Sequence, residues 1–478
     1  MISLEELPVL VAVFLYFLAD YMMLYTAFPY TIYAVCLDTF PNATVPFCLH
    51  LNDQPDLEDQ VTGRAAVFFT MEKVVGPIPS LILAAVLGRW SDHNGRRLPM
   101  LIPCVGACLA TVLFLLADYL RHTSVIWVMM TGFFLRALSG QGLIFRLMSY
   151  SHTADVVNQR FRNDRDATEE EKARKDRLLF RRSARIQAAE NLGMAAGGLL
   201  AWVTQVIFNA PTSLCMSSAI HVLVAVIVWL WVRDVALCPQ HKQIGNTQSI
   251  LQVFKEKFCM MFGDGADRLT MWGMFTATFI LIGCLNGRAA VIMAAVQRAP
   301  LSWPNDRLSA LGAACSSTAS FFLFFLAPCF RHTTVIVIGL VVSMAGTLWM
   351  MSPSTTWEMM AAGCMGQLAD CVTPAIKTMA STRAPKEQVG RLLSRLTVAE
   401  ALGAILVPTA LVPVYVFTVQ AFAGAVFLVC ACLLVSVLVI LMGVTLANCC
   451  KVEHGPETQR LIAADKVSDA SDPDQHKV

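Results

Sequence analysis

Twelve apolar runs, each long enough to cross a lipid bilayer, constrain this chain more than any other feature of its sequence. A spanning helix needs about 20 predominantly apolar residues. Prolines and glycines inside such helices are tolerated because neighbouring helices satisfy the freed backbone groups. The runs cover residues 8–35, 65–87, 99–117, 125–150, 184–208, 213–232, 269–296, 308–329, 335–351, 359–376, 392–416 and 417–446. They predict an all-α membrane protein with twelve transmembrane helices.

The composition supports a protein that lies largely within a bilayer. Of the 478 residues, 56% are hydrophobic and only 15% are charged, whereas soluble domains carry about 25% charged residues. This composition excludes a soluble enzyme and a disordered chain. The net charge of +2 gives no indication of a nucleic-acid partner. The 16 cysteines show no spacing typical of a metal site, so we expect no metal. The sequence has no clear nucleophile–base pair or nucleotide-binding loop, so we expect no cofactor and no enzymatic activity.

The distribution of basic residues predicts the orientation of the chain. Apart from Arg64, which adjoins the second run, the odd-numbered loops hold only Arg121, Arg298 and Arg307. Nearly all other lysines and arginines outside the runs lie in the even-numbered loops and the C-terminal tail. Cytosolic loops of membrane proteins are enriched in Lys and Arg. We therefore expect both termini in the cytosol.

The first loop, residues 36–63, is predicted to lie on the lumenal or extracellular side. It contains no Lys or Arg and holds a glycosylation sequon at Asn42, which is modified only on that side. Cys36 and Cys48 lie in the same oxidising environment. A disulfide between them is one expectation, and two free thiols are the alternative.

The middle loop, residues 233–268, separates an N-terminal half (1–232) from a C-terminal half (269–446), each with six runs. Apolar residues at helical spacing predict an amphipathic helix within the loop, at the inner membrane surface. The charged cytosolic arm at 158–185 is expected to be solvated, with partner docking as the alternative. The cytosolic tail, 447–478, is expected to be mostly disordered.

The tail contains a short segment that matches a sorting signal. Glu457, Leu461 and Ile462 fit an acidic dileucine signal of the form Glu-x-x-x-Leu-Ile. The match predicts a sorting adaptor as a partner and an endosomal or lysosomal membrane. A chance match in a plasma-membrane protein is the alternative.

The loop between the second and third runs carries the most specific motif of the chain. Its members are Gly88, Asp92, Gly95, Arg96 and Arg97. Their spacing resembles the signature loop of the major facilitator superfamily, and an ordinary basic inner loop is the alternative. We expect Asp92 to pair with an arginine, and both arginines to lie among lipid headgroups. Such a charged latch would hold one conformation of a rocking transporter and break in the other.

Ionisable residues inside the runs are candidates for function because they are costly to bury in a membrane. Arg136, Arg288 and Lys377 are the candidates for binding an organic anion, which arginine can hold with two hydrogen bonds. Glu190 is the candidate for carrying a coupling proton. The alternative for all four is a structural pair between helices. That structural role is expected for three further carboxylates: Asp20, Asp370 and Glu400.

Beyond the superfamily, the chain resembles the solute-carrier family that contains the proton-coupled folate transporter and its lysosomal relatives. The resemblance is carried by residues 87–92, Arg136, residues 154–156, Glu190, residues 300–303, 373–377 and 387–390, and by the first loop with Cys48. It implies a major facilitator fold of two six-helix halves. It also implies that Glu190 takes the place of the proton-coupling glutamate, and that Arg136 and Lys377 take the places of functional arginines.

The chain departs from that family at four positions that bear on the substrate. By alignment, Leu285 replaces a histidine that tunes proton coupling, and Gln141 replaces an aspartate. Ser302 replaces a cysteine that would bridge to the first loop. Lys377 provides a point charge where the family has an arginine. These departures count against folate itself, and we expect a small organic anion that is folate-like, another carboxylate or a glycopeptide.

These features together predict a secondary active transporter of a small organic anion, driven by protons and working by alternating access. A membrane receptor or scaffold that does not transport is the alternative from a different class. A uniporter or a drug exporter of the same fold is the alternative within transport.

Overall fold

The computed structural model describes residues 6–40, 48, 61, 76–119, 125–161, 169–233, 268–296, 301, 305–383, 389–418, 421–422 and 424–453. Within these ranges the regular structure is helical. The helices are α1 (Leu7–Thr39), α2 (Pro77–Asn94), α3 (Arg97–Tyr119), α4 (Val125–Leu138), α5 (Gln141–Arg160), α6 (Glu169–Ile207), α7 (Ala210–Trp231), α8 (Arg268–Val296), α9 (Asn305–Phe321), α10 (His332–Trp349), α11 (Thr356–Gln367), α12 (Val372–Arg383), α13 (Val389–Thr418) and α14 (Ala425–Glu453). The predicted features that lie outside the described residues include the sequon at Asn42, the amphipathic helix of the middle loop, and the sorting signal at Glu457, Leu461 and Ile462.

Nine stretches of the described helices are long and apolar enough to cross a membrane. They are Leu7–Thr39, Arg97–Ala117, Ile126–Arg160, Ala210–Trp231, Thr270–Ile292, Ala310–Cys329, His332–Trp349, Leu392–Tyr415 and Ala425–Leu446. The second, fifth and tenth predicted spans are not among them. The second is described only from Gly76 onward. The fifth belongs to a helix with a charged first half, and the tenth is divided between two helices of 12 residues each.

Two spans that the sequence predicts as continuous helices are interrupted. The fourth breaks between α4 and α5, where Gly140 and Gln141 have positive φ angles of 86° and 48°. Glycine adopts this conformation without strain, and the Ser139 hydroxyl bonds back to the Arg136 carbonyl at 2.6 Å. The tenth breaks at a 3₁₀ turn, Leu368–Cys371, between α11 and α12. The predicted start of the twelfth span at residue 417 is also wrong, because α13 continues to Thr418.

Close packing between α1 and α6 organises the N-terminal half. A Cβ atom added at Gly193 would lie 2.5 Å from the Phe14 carbonyl oxygen, and one added at Gly197 would lie 2.3 Å from the Leu18 carbonyl oxygen. Small residues at such positions let two membrane helices approach backbone to backbone. The C-terminal half has an equivalent contact, where a Cβ at Gly403 of α13 would lie 2.2 Å from the Phe279 carbonyl oxygen of α8.

Gly197→Ala is expected to lower the free energy of unfolding by about 1–3 kcal/mol, the usual effect of overfilling a packed interface. The added methyl group meets backbone, which cannot move aside as a flexible side chain would. Thermal unfolding of the purified protein in detergent measures the change. Gly443→Ala in α14 is the matched control, because its Cβ would meet nothing within 4 Å. Equal unfolding temperatures for the two variants would contradict the prediction.

The two halves meet near the end of the bundle at which α2 finishes and α13 begins. The Ser394 hydroxyl of α13 donates to the Ala84 carbonyl of α2 at 2.7 Å. The Arg181 guanidinium of α6 donates to the Pro328 carbonyl, beyond α9, at 3.3 Å. We call this end of the bundle the Arg96 end. At the opposite end, a disulfide joins Cys36 and Cys48, whose Cα atoms are 5.9 Å apart.

Candidate functional site

Arg96 is the centre of a buried ion-pair cluster at the Arg96 end. Its side chain is only 3% exposed, and its Nε donates to Asp155 Oδ2 of α5 at 2.9 Å. The same guanidinium also binds Asp92 and the Ser91 hydroxyl. Burial by itself lowers the pKa of Arg96, but Asp155 and Asp92 outweigh it and raise that pKa above its ordinary value. The expectation that Arg96 lies among lipid headgroups is therefore wrong.

The rest of the predicted latch surrounds this cluster. Gly95 turns the chain between α2 and α3 with a φ of 94°, a conformation that favours glycine. Gly88 is buried in α2. The Arg97 guanidinium lies over the Trp229 ring of α7, 4.3 Å from its centroid, in a cation–π contact.

Arg136 pairs with a carboxylate of its own half. Its Nη2 and Nε lie 2.7 and 3.2 Å from Asp20 Oδ1 of α1, and both side chains are buried. The pair joins α1 to α4 just before the break at Gly140. In this structure the Arg136 charge is therefore already neutralised.

Arg288 is a buried cation with a different environment. Its Nη1 lies 3.3 Å from Thr347 Oγ1 of α10, and its Nη2 lies 3.3 Å from Gln367 Oε1 at the end of α11. The side chain is only 5% exposed. Within the described part of the chain, no carboxylate lies within ion-pair distance of it. Its polar contacts are thus with neutral groups.

Glu190 lies in a second buried cluster, between the two halves. Its carboxylate receives two hydrogen bonds from Arg146 of α5, one from Nε to Oε2 at 3.0 Å and one from Nη2 to Oε1. The third nitrogen, Arg146 Nη1, lies 3.8 Å from Glu400 Oε2 of α13. One guanidinium therefore faces a carboxylate from each half of the protein.

Lys377 of the C-terminal half belongs to the same group of buried charges. We call this group the central cluster; its ionisable members are Arg146, Glu190, Asp370, Lys377 and Glu400. Its Nζ lies 2.7 Å from Glu400 Oε1 and 4.2 Å from the centroid of the Tyr150 ring. The Tyr150 hydroxyl donates to Gln187 Oε1 at 2.9 Å, and Gln187 Nε2 lies 3.4 Å from Asp370 Oδ2. Asp370, in the 3₁₀ turn, is within electrostatic range of Lys377.

The structure thus brings two of the predicted site residues, Glu190 and Lys377, into one cluster. Arg136 and Arg288 lie apart from it, one in each half. Sequence reasoning missed Arg146 as a site residue because it lies near the end of the fourth apolar run. The sequence did contain a signal for Arg146. This arginine follows two glycines within a predicted span, and a helix break at those glycines would direct it into the bundle.

Comparisons with known proteins identify relatives that are transporters. No protein-family model matches the chain. The lysosomal proton-coupled steroid conjugate and bile acid symporter SLC46A3 of Pongo abelii is 23% identical over 426 residues, covering 87% of this chain and 86% of its own length. The Homo sapiens protein of the same name is 22% identical, covering 87% of each chain.

Solved structures share the fold over most of the chain. The human organic anion transporter MFSD10 (TETRAN) aligns with a TM-score of 0.71 at 14% identity, over 92% of this chain and all of that one. The proton:xylose symporter XylE gives 0.63 at 13% identity, over 92% and 95%. FucP, in the outward conformation, gives a TM-score of 0.60 at 13% identity, over 92% of this chain and 99% of that one.

The predicted all-α fold is confirmed, and the relatives are transporters rather than enzymes. The chain has the fold of the major facilitator superfamily and is similar to the SLC46 solute carriers.

Proposed function

We propose that this protein is a secondary active transporter that carries a small organic anion across a membrane together with protons, by alternating access. The observation that carries the proposal is the central cluster, in which ionisable groups of both halves meet in a buried site. Ionisable residues within spans mark ion and proton pathways by default. Here they also connect the two bodies that alternating access requires to move.

The charges of the central cluster favour proton binding. Glu190, Asp370 and Glu400 supply three carboxylates, whereas Arg146 and Lys377 supply two cations. With every group ionised the cluster carries one negative charge in excess, and an uncompensated buried charge is costly. One proton on a carboxylate removes the excess. We assign that proton to Glu190, in agreement with its place in the family that the sequence resembles.

The substrate class follows from the cations and from the relatives. MFSD10 is described as an organic anion transporter and SLC46A3 as a steroid conjugate and bile acid symporter. Because Asp20 neutralises Arg136 and Glu400 neutralises Lys377, Arg288 is the predicted cation best able to attract an anionic group of a substrate. We propose a small amphipathic anion with a carboxylate or sulfate group.

The orientation and location belong to the same proposal. We propose that both termini and the Arg96 end face the cytosol. The Gly88–Arg97 latch would hold one conformation of the transporter there, through the contacts that join α2 to α5. The Cys36–Cys48 disulfide and a glycan on Asn42 would then lie on the lumenal side. The dileucine signal of the tail favours an endosomal or lysosomal membrane, through a sorting adaptor.

Uptake into proteoliposomes tests the proposal. Labelled steroid sulfates, bile acids, folates and small glycopeptides are offered with and without an imposed pH gradient. We expect wild type to accumulate one of these anions only with the gradient. Glu190→Gln is expected to lose this accumulation because a fixed neutral side chain cannot exchange a proton with solvent. It should still exchange labelled for unlabelled substrate across the membrane.

Glu170→Gln is the matched control, because it removes an exposed carboxylate of α6 that lies outside the cluster. It should behave as wild type. Uptake at the same rate with and without the pH gradient, and in wild type and Glu190→Gln, would identify a uniporter and overturn proton coupling. Failure of wild type to move any of the anions, in protein shown to be folded, would favour the receptor or scaffold alternative.

A further inference from the structure

We propose that Glu400 competes with Glu190 for Arg146, so that protonation of Glu190 transfers the guanidinium to Glu400 and strengthens the contact between the two halves. The inference rests on the proposed function, since it takes Glu190 as the group that binds the proton. It assigns Glu400 as a positioning residue, which acts on coupling through Arg146.

The free donor capacity of Arg146 is the first observation. Its Nε and Nη2 both bind Glu190, on the neighbouring helix of the same half. Its Nη1 makes no hydrogen bond to any part of the chain that the structure describes, and it faces Glu400 Oε2 at 3.8 Å. A movement of about 1 Å would bring this pair to the length of a charge-assisted hydrogen bond.

The free acceptor capacity of Glu400 is the second observation. Its side chain is only 1% exposed, and neither carboxylate oxygen accepts a hydrogen bond of good geometry from the described residues, although Lys377 Nζ lies 2.7 Å away. Buried carboxylates usually accept several hydrogen bonds. Glu400 therefore has unused acceptor sites directed at a guanidinium with unused donors.

The two halves present matching ion pairs, and this is the third observation. In the N-terminal half a cation on the helix after the break, Arg146, pairs with a carboxylate on the next helix, Glu190. In the C-terminal half the cation after the break is Lys377, and its partner on the next helix is Glu400. The contact from Arg146 to Glu400 is the one that crosses between these two pairs.

The charge balance shows why protonation would shift Arg146. A proton on Glu190 removes the charge that holds two donors of the guanidinium, because an arginine interacts far more strongly with an ionised carboxyl than with a neutral one. The proton comes from a hydronium ion of the solvent, whose O–H bond breaks as an O–H bond to a carboxylate oxygen of Glu190 forms. Four charges then remain in the cluster: the cations Arg146 and Lys377, and the carboxylates Asp370 and Glu400. Both remaining carboxylates belong to the C-terminal half, so Arg146 has a charged partner only if it pairs with one of them.

The groups that face Glu400 come from several elements. They are Lys377 of α12, Arg146 and Tyr150 of α5, and Asp370 of the 3₁₀ turn. Of these, only Arg146 is a cation carried by the N-terminal half. A stronger bond from Arg146 to Glu400 would therefore hold α13 against the N-terminal half, where Ser394 already bonds to Ala84 of α2.

Amide hydrogen exchange of the full-length protein tests the transfer at a single pH. Glu190→Gln serves as a permanent mimic of the protonated state. We expect it to slow exchange in peptides that contain Ala84 and Ser394 by about fivefold or more, the lower end of typical coupling between sites. The double variant Glu190→Gln with Glu400→Gln should return to the wild-type rate. Glu190→Gln with Glu170→Gln is the control, since it removes an exposed carboxylate of α6 that lies outside the cluster. This control variant should stay slow.

A further variant controls for loss of the fold. Glu400→Gln alone leaves the buried Lys377 without its carboxylate partner, which destabilises the protein. Glu400→Gln combined with Lys377→Gln removes both charges, and it should also abolish the slowing caused by Glu190→Gln. Exchange in Glu190→Gln that equals wild type, or slowing that persists without Glu400, overturns the transfer. Because this readout needs no transport, loss of proton-driven uptake in Glu190→Gln with unchanged exchange would leave the proposed function standing and reject only the role of Glu400.

Discussion

Arg288→Gln is expected to raise the KM for an anionic substrate by about 10- to 100-fold, with a smaller effect on the maximal rate. Hydrogen bonds to charged groups contribute about 1.5–3 kcal/mol each, and 1.4 kcal/mol is a tenfold change in affinity. Arg288 is buried, and its contacts within the described residues are with neutral oxygens of Thr347 and Gln367. Its charge is therefore available to a ligand.

Two companion variants make the Arg288 prediction specific. Arg288→Lys keeps the charge but loses the planar fork of donors, so its KM should lie between those of wild type and Arg288→Gln. Arg174→Gln removes an exposed arginine of α6 and should leave KM unchanged. The concentration dependence of uptake gives KM, and substrate-induced thermal stabilisation gives an independent affinity. A KM for Arg288→Gln equal to wild type would reject Arg288 as the anion-binding residue.

Arg136→Gln is expected to destabilise the protein by about 3–5 kcal/mol, because it leaves the buried carboxylate of Asp20 without a partner. Asp20→Asn combined with Arg136→Gln should recover most of this loss, since the two neutral amides leave no uncompensated charge. Thermal unfolding of the two single variants and the double variant gives the coupling between the residues.

Uptake by the same double variant separates the two roles that Arg136 has been assigned. If Arg136 is only a structural partner of Asp20, the double variant should transport at a rate close to wild type. Recovered stability with lost uptake would instead support the sequence-based hypothesis that Arg136 binds the substrate. A double variant no more stable than Arg136→Gln would contradict the pairing itself.

The sequence predicts the type of element well because the bilayer dictates it. Apolar runs of about 20 residues have few alternatives to spanning helices. The loop motif at Gly88–Arg97 resembles the signature loop of the superfamily whose fold the chain has. The breaks in the fourth and tenth spans were not predicted, because hydrophobicity alone does not show where the backbone hydrogen bonds of a helix are interrupted. The pair of glycines at Gly140 and Gly142 was the available signal for the first break.

The partners of the buried charges could not be predicted because they depend on how distant helices pack. Glu190 could be singled out as a carboxylate inside a run, but its partner Arg146 lies on a different helix. The same holds for Glu400, whose expected structural role did not anticipate that it faces a cation from each half. Sequence reasoning identifies which side chains are costly to bury, and tertiary packing decides which of them meet.

The length of α6 has a practical consequence for imaging this protein. The helix is continuous from Glu169 to Ile207, and most of its residues before Leu179 are exposed. At a rise of 1.5 Å per residue this portion projects about 15 Å from the bundle. A small soluble protein fused in helical register to the start of α6 would rotate rigidly with the N-terminal half. Such a fiducial would let electron microscopy align particles and resolve the rocking of one half against the other.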